Sequence, residues 1–338
     1  MKSFKSILRK LLMGNKAIII VLVLGTALAL ASPVFMTSKN MMNVFKQVCV
    51  SAILACGFCM CLGSGNMDLS IGSQVGLLGY VVVRMIMWGA PIWLAILVGI
   101  VCAVCIGAII ATVITVFQLP AFIVTLAMQQ ILRGALYVVT GMVPLTNVPD
   151  SYKFIGQGYI LGIPFQLYIM LFAVGFVWFL INRTRYGRHL LAMGGNWEAA
   201  RVSGINTTKM TYCVYISVSL FALLAGIVLS SRSGSAQPTA GLNMEMDAIA
   251  AVVVGGTMMS GGVVNVLGAF FGSMIVGIVN NGMNLLGISS NWQLVTKGAL
   301  ILFAIVLDRI SASVLSSSEK AESMNALKNS QKEAKDSE

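Results

Sequence analysis

The chain has 338 residues, 58% of them apolar and only 10% charged, with a mean hydropathy of +0.90. No soluble domain of that length hides so much apolar surface, so the bilayer must be the solvent for much of it. The formal net charge of +11 does not point to nucleic acid, because the positive residues sit in a few short segments between apolar runs, which is the pattern of membrane topology signals.

About 20 apolar residues carry a helix across the hydrocarbon core. The basic N-terminus, 1–16, carries Lys2, Lys5, Arg9, Lys10 and Lys16 and precedes an apolar run near 17–36. That run is too long for the core of a signal peptide and lacks a clear small-residue cleavage site, so it reads as a retained first helix. Further spans follow near 44–63, 69–88, 92–117, 121–140, 166–182, 211–230, 247–264, 266–286 and 292–308. The expected fold is an all-α integral membrane protein of about ten helices, some broken or re-entrant, with a polytopic domain over 17–310. Gly141 to Pro164 is the longest outer loop. Its prolines and glycines predict irregular backbone or short re-entrant pieces, and it is either an external docking surface or a connector. The tail, 311–338, is rich in Ser, Lys and Glu and too poor in apolar residues to form a core, so it is expected to be mobile.

Ten spans place three basic groups on one face: the N-terminus, the 183–210 loop with Arg183, Arg185, Arg188, Arg201 and Lys209, and the tail. Only Lys39, Lys46, Lys153 and Arg232 fall on the other face. The rich face is therefore expected to be cytoplasmic, with both termini there. The 183–210 loop is a polar island between apolar runs, and at that face it offers a surface to something soluble. Gly194, Gly195 and Asn196 precede a cappable helix start.

The motifs of several chemistries are missing. There is no G-x-x-x-x-G-K-[ST], no G-x-S-x-G and no H-E-x-x-H, and His189 is the single histidine. All seven cysteines lie in apolar runs. The pairs Cys56/Cys59 and Cys102/Cys105 have C-x-x-C spacing but no accompanying ligands, so they read as polarizable filler between helices. No metal site and no catalytic site are expected.

Polar residues inside the spans are the candidates for a translocation path. Asp68, in GSGNMDLSIGS (63–73), suits the start of a helix, where its carboxylate caps free amides. Arg133 lies well inside 121–140, with Gln129 and Gln130 one turn before it. An arginine at that depth must face protein or water, so it either pairs with Asp68 or Asp247 or lines a polar path. Arg84 and Lys297 lie nearer span ends, where snorkelling suffices. Asn280, Asn281 and Asn284 form a stripe suited either to interhelical hydrogen bonds or to a hydroxylated solute. Gly255, Gly256, Gly261 and Gly262 interrupt an apolar run, either for close packing or as the hinge of a broken helix. Gly268 and Gly272 form a small-xxx-small pair. No chain of paired carboxylates crosses the membrane, which favours energy supplied from outside the chain.

Several ordered blocks resemble the permease subunits of bacterial ribose-type sugar ABC importers. They are GNMDLSIGS (65–73), LPAFIVTLAMQQILRG (119–134), YGRHLLAMGGNWEAARVSGI (186–205), GSAQPTAG (234–241), DAIAAVVVGGTMMSGG (247–262) and NNGMNLLGISSNWQ (280–293). The resemblance runs from about residue 40 to 310. It implies a multi-pass subunit of the bacterial cytoplasmic membrane, paired with itself or a paralogous permease chain and surrounded by lipid. Cytoplasmic ATPase subunits would bind ATP and Mg, which this chain does not, and an extracytoplasmic sugar-binding protein would deliver a monosaccharide or small polyol. Glu198, Ala199, Ala200 and Gly204 are similar to the coupling-helix motif of importer permeases, with Glu198 and Arg201 placed to enter an ATPase cleft. The alternative, a self-sufficient secondary carrier or channel, requires uptake by this chain alone.

Overall fold

A computed structural model describes residues 16–289, 291–302 and 306. The basic N-terminal segment before Lys16 and the 311–338 tail lie outside the described residues. The helices, in chain order, begin with α1 Lys16–Ala31, α2 Ser38–Gly63, α3 Ile71–Met87, α4 Ile92–Val116 and α5 Ala121–Thr140. A short α6, Asp150–Gln157, leads to a two-stranded hairpin, β1 Tyr159–Ile160 and β2 Ile163–Pro164, and then to α7, Phe165–Arg183. Next come α8 Arg185–Gly195, α9 Trp197–Val202, α10 Thr207–Ser233, α11 Met244–Val254 and α12 Val266–Leu285. A final helical stretch, α13, covers 291–302. Six of these, α2, α4, α5, α7, α10 and α12, are long and apolar enough to cross a membrane unaided. The chain is an all-α, multi-pass membrane protein.

Burial separates inner from outer helices. In α2, 78% of the apolar stretch is buried, and in α10 and α12 61%, against 28% in α5 and 33% in α7. The first three form the pillars. α10 packs on α2, α3 and α4, while α12 packs on α1, α2 and α11. α2 therefore joins two groups of helices. Cys56, Cys59 and Cys61 lie fully buried on it, and Cys59 Sγ sits 3.8 Å from Thr257 Oγ1.

One end of the bundle gathers Lys46, Lys153 and Arg232. Arg232 donates to the Lys46 carbonyl at 2.7 Å, Lys46 reaches the Tyr159 hydroxyl at 2.8 Å, and Lys153 approaches Gly234. The 141–164 loop is tied down here. Tyr152 on α6 meets Ser230 Oγ at 2.8 Å, and Gly156 N–H donates to Ser231 Oγ at 2.7 Å.

One expected span is corrected. Residues 247–264 do not form a continuous helix: α11 has only 11 residues, and 255–265 is non-helical. The residues before it, 234–243, are also non-helical, built from turns. Two glycine pairs, with Gly256, Gly261 and Gly262 at positive φ, stop α11 from continuing. Gly268 and Gly272 do pack closely, each facing the α11 main chain at Gly255 and Ala251.

Candidate functional site

The first centre lies on the broken span. Gly226 of α10 packs on Gly79 of α3. Seven residues of helix, roughly 10 Å, separate Gly226 from the end of α10, and as many separate Gly79 from Gly72. Gly241 rests against Gly72. The 234–241 segment therefore descends well into the bundle without helical hydrogen bonds. Its carbonyls need other donors, since the hydrocarbon offers none.

Leu145 N–H meets the Ala236 carbonyl at 3.0 Å, and Arg133 serves Pro238 and Ala240. Its guanidinium, 7% exposed as a residue, donates to Ala240 O at 2.7 Å, Pro238 O at 3.3 Å and Gly72 O at 3.2 Å. Of the two alternatives for Arg133, the pairing with Asp68 or Asp247 is not what the structure shows. A planar fork with five donors can reach several carbonyls at once. Alongside, Gln129 Nε2 donates to Glu245 Oε1 at 2.8 Å.

Asp247 takes a different partner. Its carboxylate lies 2.8 Å from Lys297 Nζ, with both side chains largely buried. Lys297 is thus not a snorkelling residue at a span end; it ties α13 to the first turn of α11. Glu245 and Asp247 sit at the helix N-terminus, where the macrodipole favours negative charge. A cavity of about 260 Å³ adjoins this centre, lined by Val75, Gly79, Ser230, Ser235, Thr239 and Gly241 among others.

The remaining path candidates separate. Asp68 is fully buried and accepts from Ser70 N–H at 2.8 Å, Ser70 Oγ at 2.6 Å and Gln74 Nε2 at 3.2 Å. It organises the turn into α3. Asn281 exchanges two hydrogen bonds with Asn40, at 3.0 and 2.9 Å, joining α12 to α2. Asn284 is exposed and accepts from Gln293 at 2.8 Å. Asn280 is half-buried, and Gln130 lies on the exposed face of α5.

The second centre is at the opposite end of the bundle from Lys46 and Arg232. α8 is amphipathic: Gly187, Leu190 and Met193 are buried, while Arg185, Arg188 and His189 are exposed. Thr184 caps it by accepting from Gly187 N–H. Burial pushes the Tyr186 phenol up to about 12, so it stays neutral against the bundle. Asn196 ends α8 and caps α9, its Oδ1 accepting from Ala199 N–H at 3.0 Å. Only Ala200 of α9 turns inward. Glu198 and Arg201 pair at 3.1 Å with both side chains exposed, and Gly204 follows at φ 83°.

Several participants escaped the sequence reading. Trp197 is 47% exposed and Val202 83% exposed, so α9 presents apolar as well as charged surface. Glu245 carried a signal, an acidic residue in an apolar run, but nothing linked it to Gln129. Gly63 and Gly65 gave none beyond their type. Among the described residues, no group of three or more His, Cys, Asp or Glu could hold a metal ion.

A profile of the family described as "Branched-chain amino acid transport system / permease component" matches residues 40–305. The ribose import permease protein of Escherichia coli K12 is 38% identical over 301 residues, covering 88% of this chain and 94% of that one. Its Bacillus subtilis counterpart is 40% identical over 289 residues, covering 85% and 90%. The galactose/methyl galactoside import permease protein of E. coli K12 is 35% identical over 313 residues, covering 86% and 93%. No solved structure matches.

Proposed function

Because the chain belongs to the permease family shared by these sugar import proteins, it is the membrane permease subunit of a sugar-type ABC importer, and we propose that it moves a monosaccharide or small polyol by alternating access. Energy comes from ATP and Mg on separate cytoplasmic ATPase subunits. An extracytoplasmic binding protein delivers the sugar, and a second permease chain, identical or paralogous, completes the passage.

The single observation that carries this reading is α9. It is a short, side-chain-capped helix standing out from the basic end of the bundle, with Trp197, Glu198, Arg201 and Val202 exposed. The 183–210 loop is the coupling loop, with Gly194 to Arg201 and Gly204 as its motif. Solute passes near the broken span, with Gln129 and Arg133 behind its wall and Gln130 and Asn284 on exposed faces. The hinge lies at Gly255, Gly256, Gly261 and Gly262. Ten crossings are counted: α1 to α5, α7, α10, the broken segment ending in α11, α12 and α13. An even count and the basic loop put both termini in the cytoplasm.

Reconstitution into proteoliposomes tests the reading. Accumulation of labelled ribose, galactose or xylose is expected only with the ATPase, the binding protein and ATP present. Accumulation by the permease alone, abolished by an uncoupler, would establish a secondary carrier instead.

A further inference from the structure

Three chain breaks meet at the α8 end of the bundle. They are the turn after α2 (64–70), the linker after α11 (255–265) and the last turn of α8. Where they touch, the residues are glycines, so main chain lies directly on main chain. Gly262 N–H donates to the Gly63 carbonyl at 3.0 Å. A methyl group on Gly194 would run into that same carbonyl and come within 2.7 Å of Gly262 N. One on Gly261 would lie 2.7 Å from Gly194 O and 2.8 Å from Gly65 Cα.

Such a contact has a mechanical property. Side chains between two elements can change rotamer and absorb a displacement. Hydrogen-bonded backbone at van der Waals distance has no such slack, and close-packed protein transmits strain. A shift of the end of α8 must therefore carry the other two breaks with it. Both lead to the polar centre. The 64–70 turn starts α3, whose Gly72 carbonyl accepts from Arg133. The 255–265 linker ends α11, whose first turn carries Glu245 and Asp247.

The geometry points to this glycine junction as the element that ties the α8–α9 knob to two walls of the broken span. Gly63, Gly65, Gly261 and Gly262 are positioning residues for transport, acting through α3 and α11 rather than on the solute. The inference rests on the reading that the knob docks on an ATPase.

The test uses the permease–ATPase complex with its binding protein in proteoliposomes. It measures assembly by co-purification, ATP hydrolysis, and uptake of whichever of labelled ribose, galactose or xylose the wild type accumulates. A methyl group at Gly63 would meet the Val264 side chain and lie 3.1 Å from Leu190 Cδ2 of α8, so, with side chains on both sides, it pushes the 255–265 linker and α8 away from the end of α2. Gly63→Ala is expected to keep assembly and hydrolysis within about twofold while uptake falls about tenfold or more. Adding Val264→Ala removes the obstructing methyls and is expected to restore most of the uptake. Gly194→Ala meets backbone and is expected to stay unrescued by Val264→Ala. Gly175→Ala, which faces open space, leaves all three readouts unchanged. The junction role is overturned if Gly63→Ala transports normally, or if assembly, hydrolysis and uptake fall together without rescue by Val264→Ala. A wild-type permease that binds no ATPase overturns the underlying reading and this inference with it.

Discussion

The two breaks that flank α11 are held differently. The one after it, 255–265, is a glycine-rich linker whose close contacts are backbone on backbone. The one before it, 234–243, is non-helical chain in which the Pro238 and Ala240 carbonyls are met from outside by the Arg133 guanidinium. Both breaks use glycine for close approach, Gly241 on Gly72 in one and Gly261 on Gly65 in the other, but only 234–243 also needs a long side chain from another helix. Glycine gives close approach at the end that meets the knob. Arginine gives polar satisfaction deep in the bundle, where an unpaired carbonyl is costly.

That contrast fails if Arg133 is dispensable. Arg133→Leu takes the donor from the Pro238 and Ala240 carbonyls, and should cost roughly 1–3 kcal/mol for each buried carbonyl left unmet. Thermal unfolding in detergent should show the loss, with uptake abolished. Arg133→Lys should recover only part, since a compact ammonium lacks the fork that reaches three carbonyls.

The Asp247–Lys297 pair sharpens the picture of α11. Asp247→Asn or Lys297→Met alone leaves a largely buried charge and should cost about 3 kcal/mol. The double variant should be markedly less unstable than the sum. A coupling of about 0.5–3 kcal/mol in a double-mutant cycle is expected, and strict additivity would mean the contact carries no energy.

At the knob, smaller effects are expected. Asn196→Ala removes the α9 cap and should cost about 1 kcal/mol. Gly204→Ala puts a side chain at φ 83°, at a cost of roughly 1 kcal/mol. In both, hydrolysis per sugar transported should rise while the amount of inserted permease stays level. The mildest expected change is Asn281→Ala, which breaks the exchange with Asn40 across α2 and α12 for about 0.6 kcal/mol.

The legibility of these parts in the sequence follows their physics. Apolar length and loop charge announce a polytopic membrane protein because the bilayer imposes both. Gly194-Gly195-Asn196 announces the start of α9 because capping is local. Glycine pairs announce the second break. The first break, GSAQPTAG, carries Gly, Ser and Pro, which announce irregular chain but nothing of its depth. Its depth depends on Arg133, about 100 residues away, and no local pattern encodes that. For the same reason Lys297 looked like a span-end cation: its partner lies 50 residues back in sequence. The Asn281 stripe could be placed on a helix but not assigned to Asn40, 241 residues distant.

The most direct test of the central claim, that work enters at α9, is the sidedness and docking of residue 198. The native cysteines all lie in apolar runs, so a Glu198→Cys variant offers one readily reached aqueous thiol. In the intact importer a short thiol cross-linker is expected to join it to the ATPase subunit, and a membrane-impermeant thiol reagent is expected to reach it in inverted vesicles but not in whole cells. Labelling of that thiol from outside the cell would contradict the account.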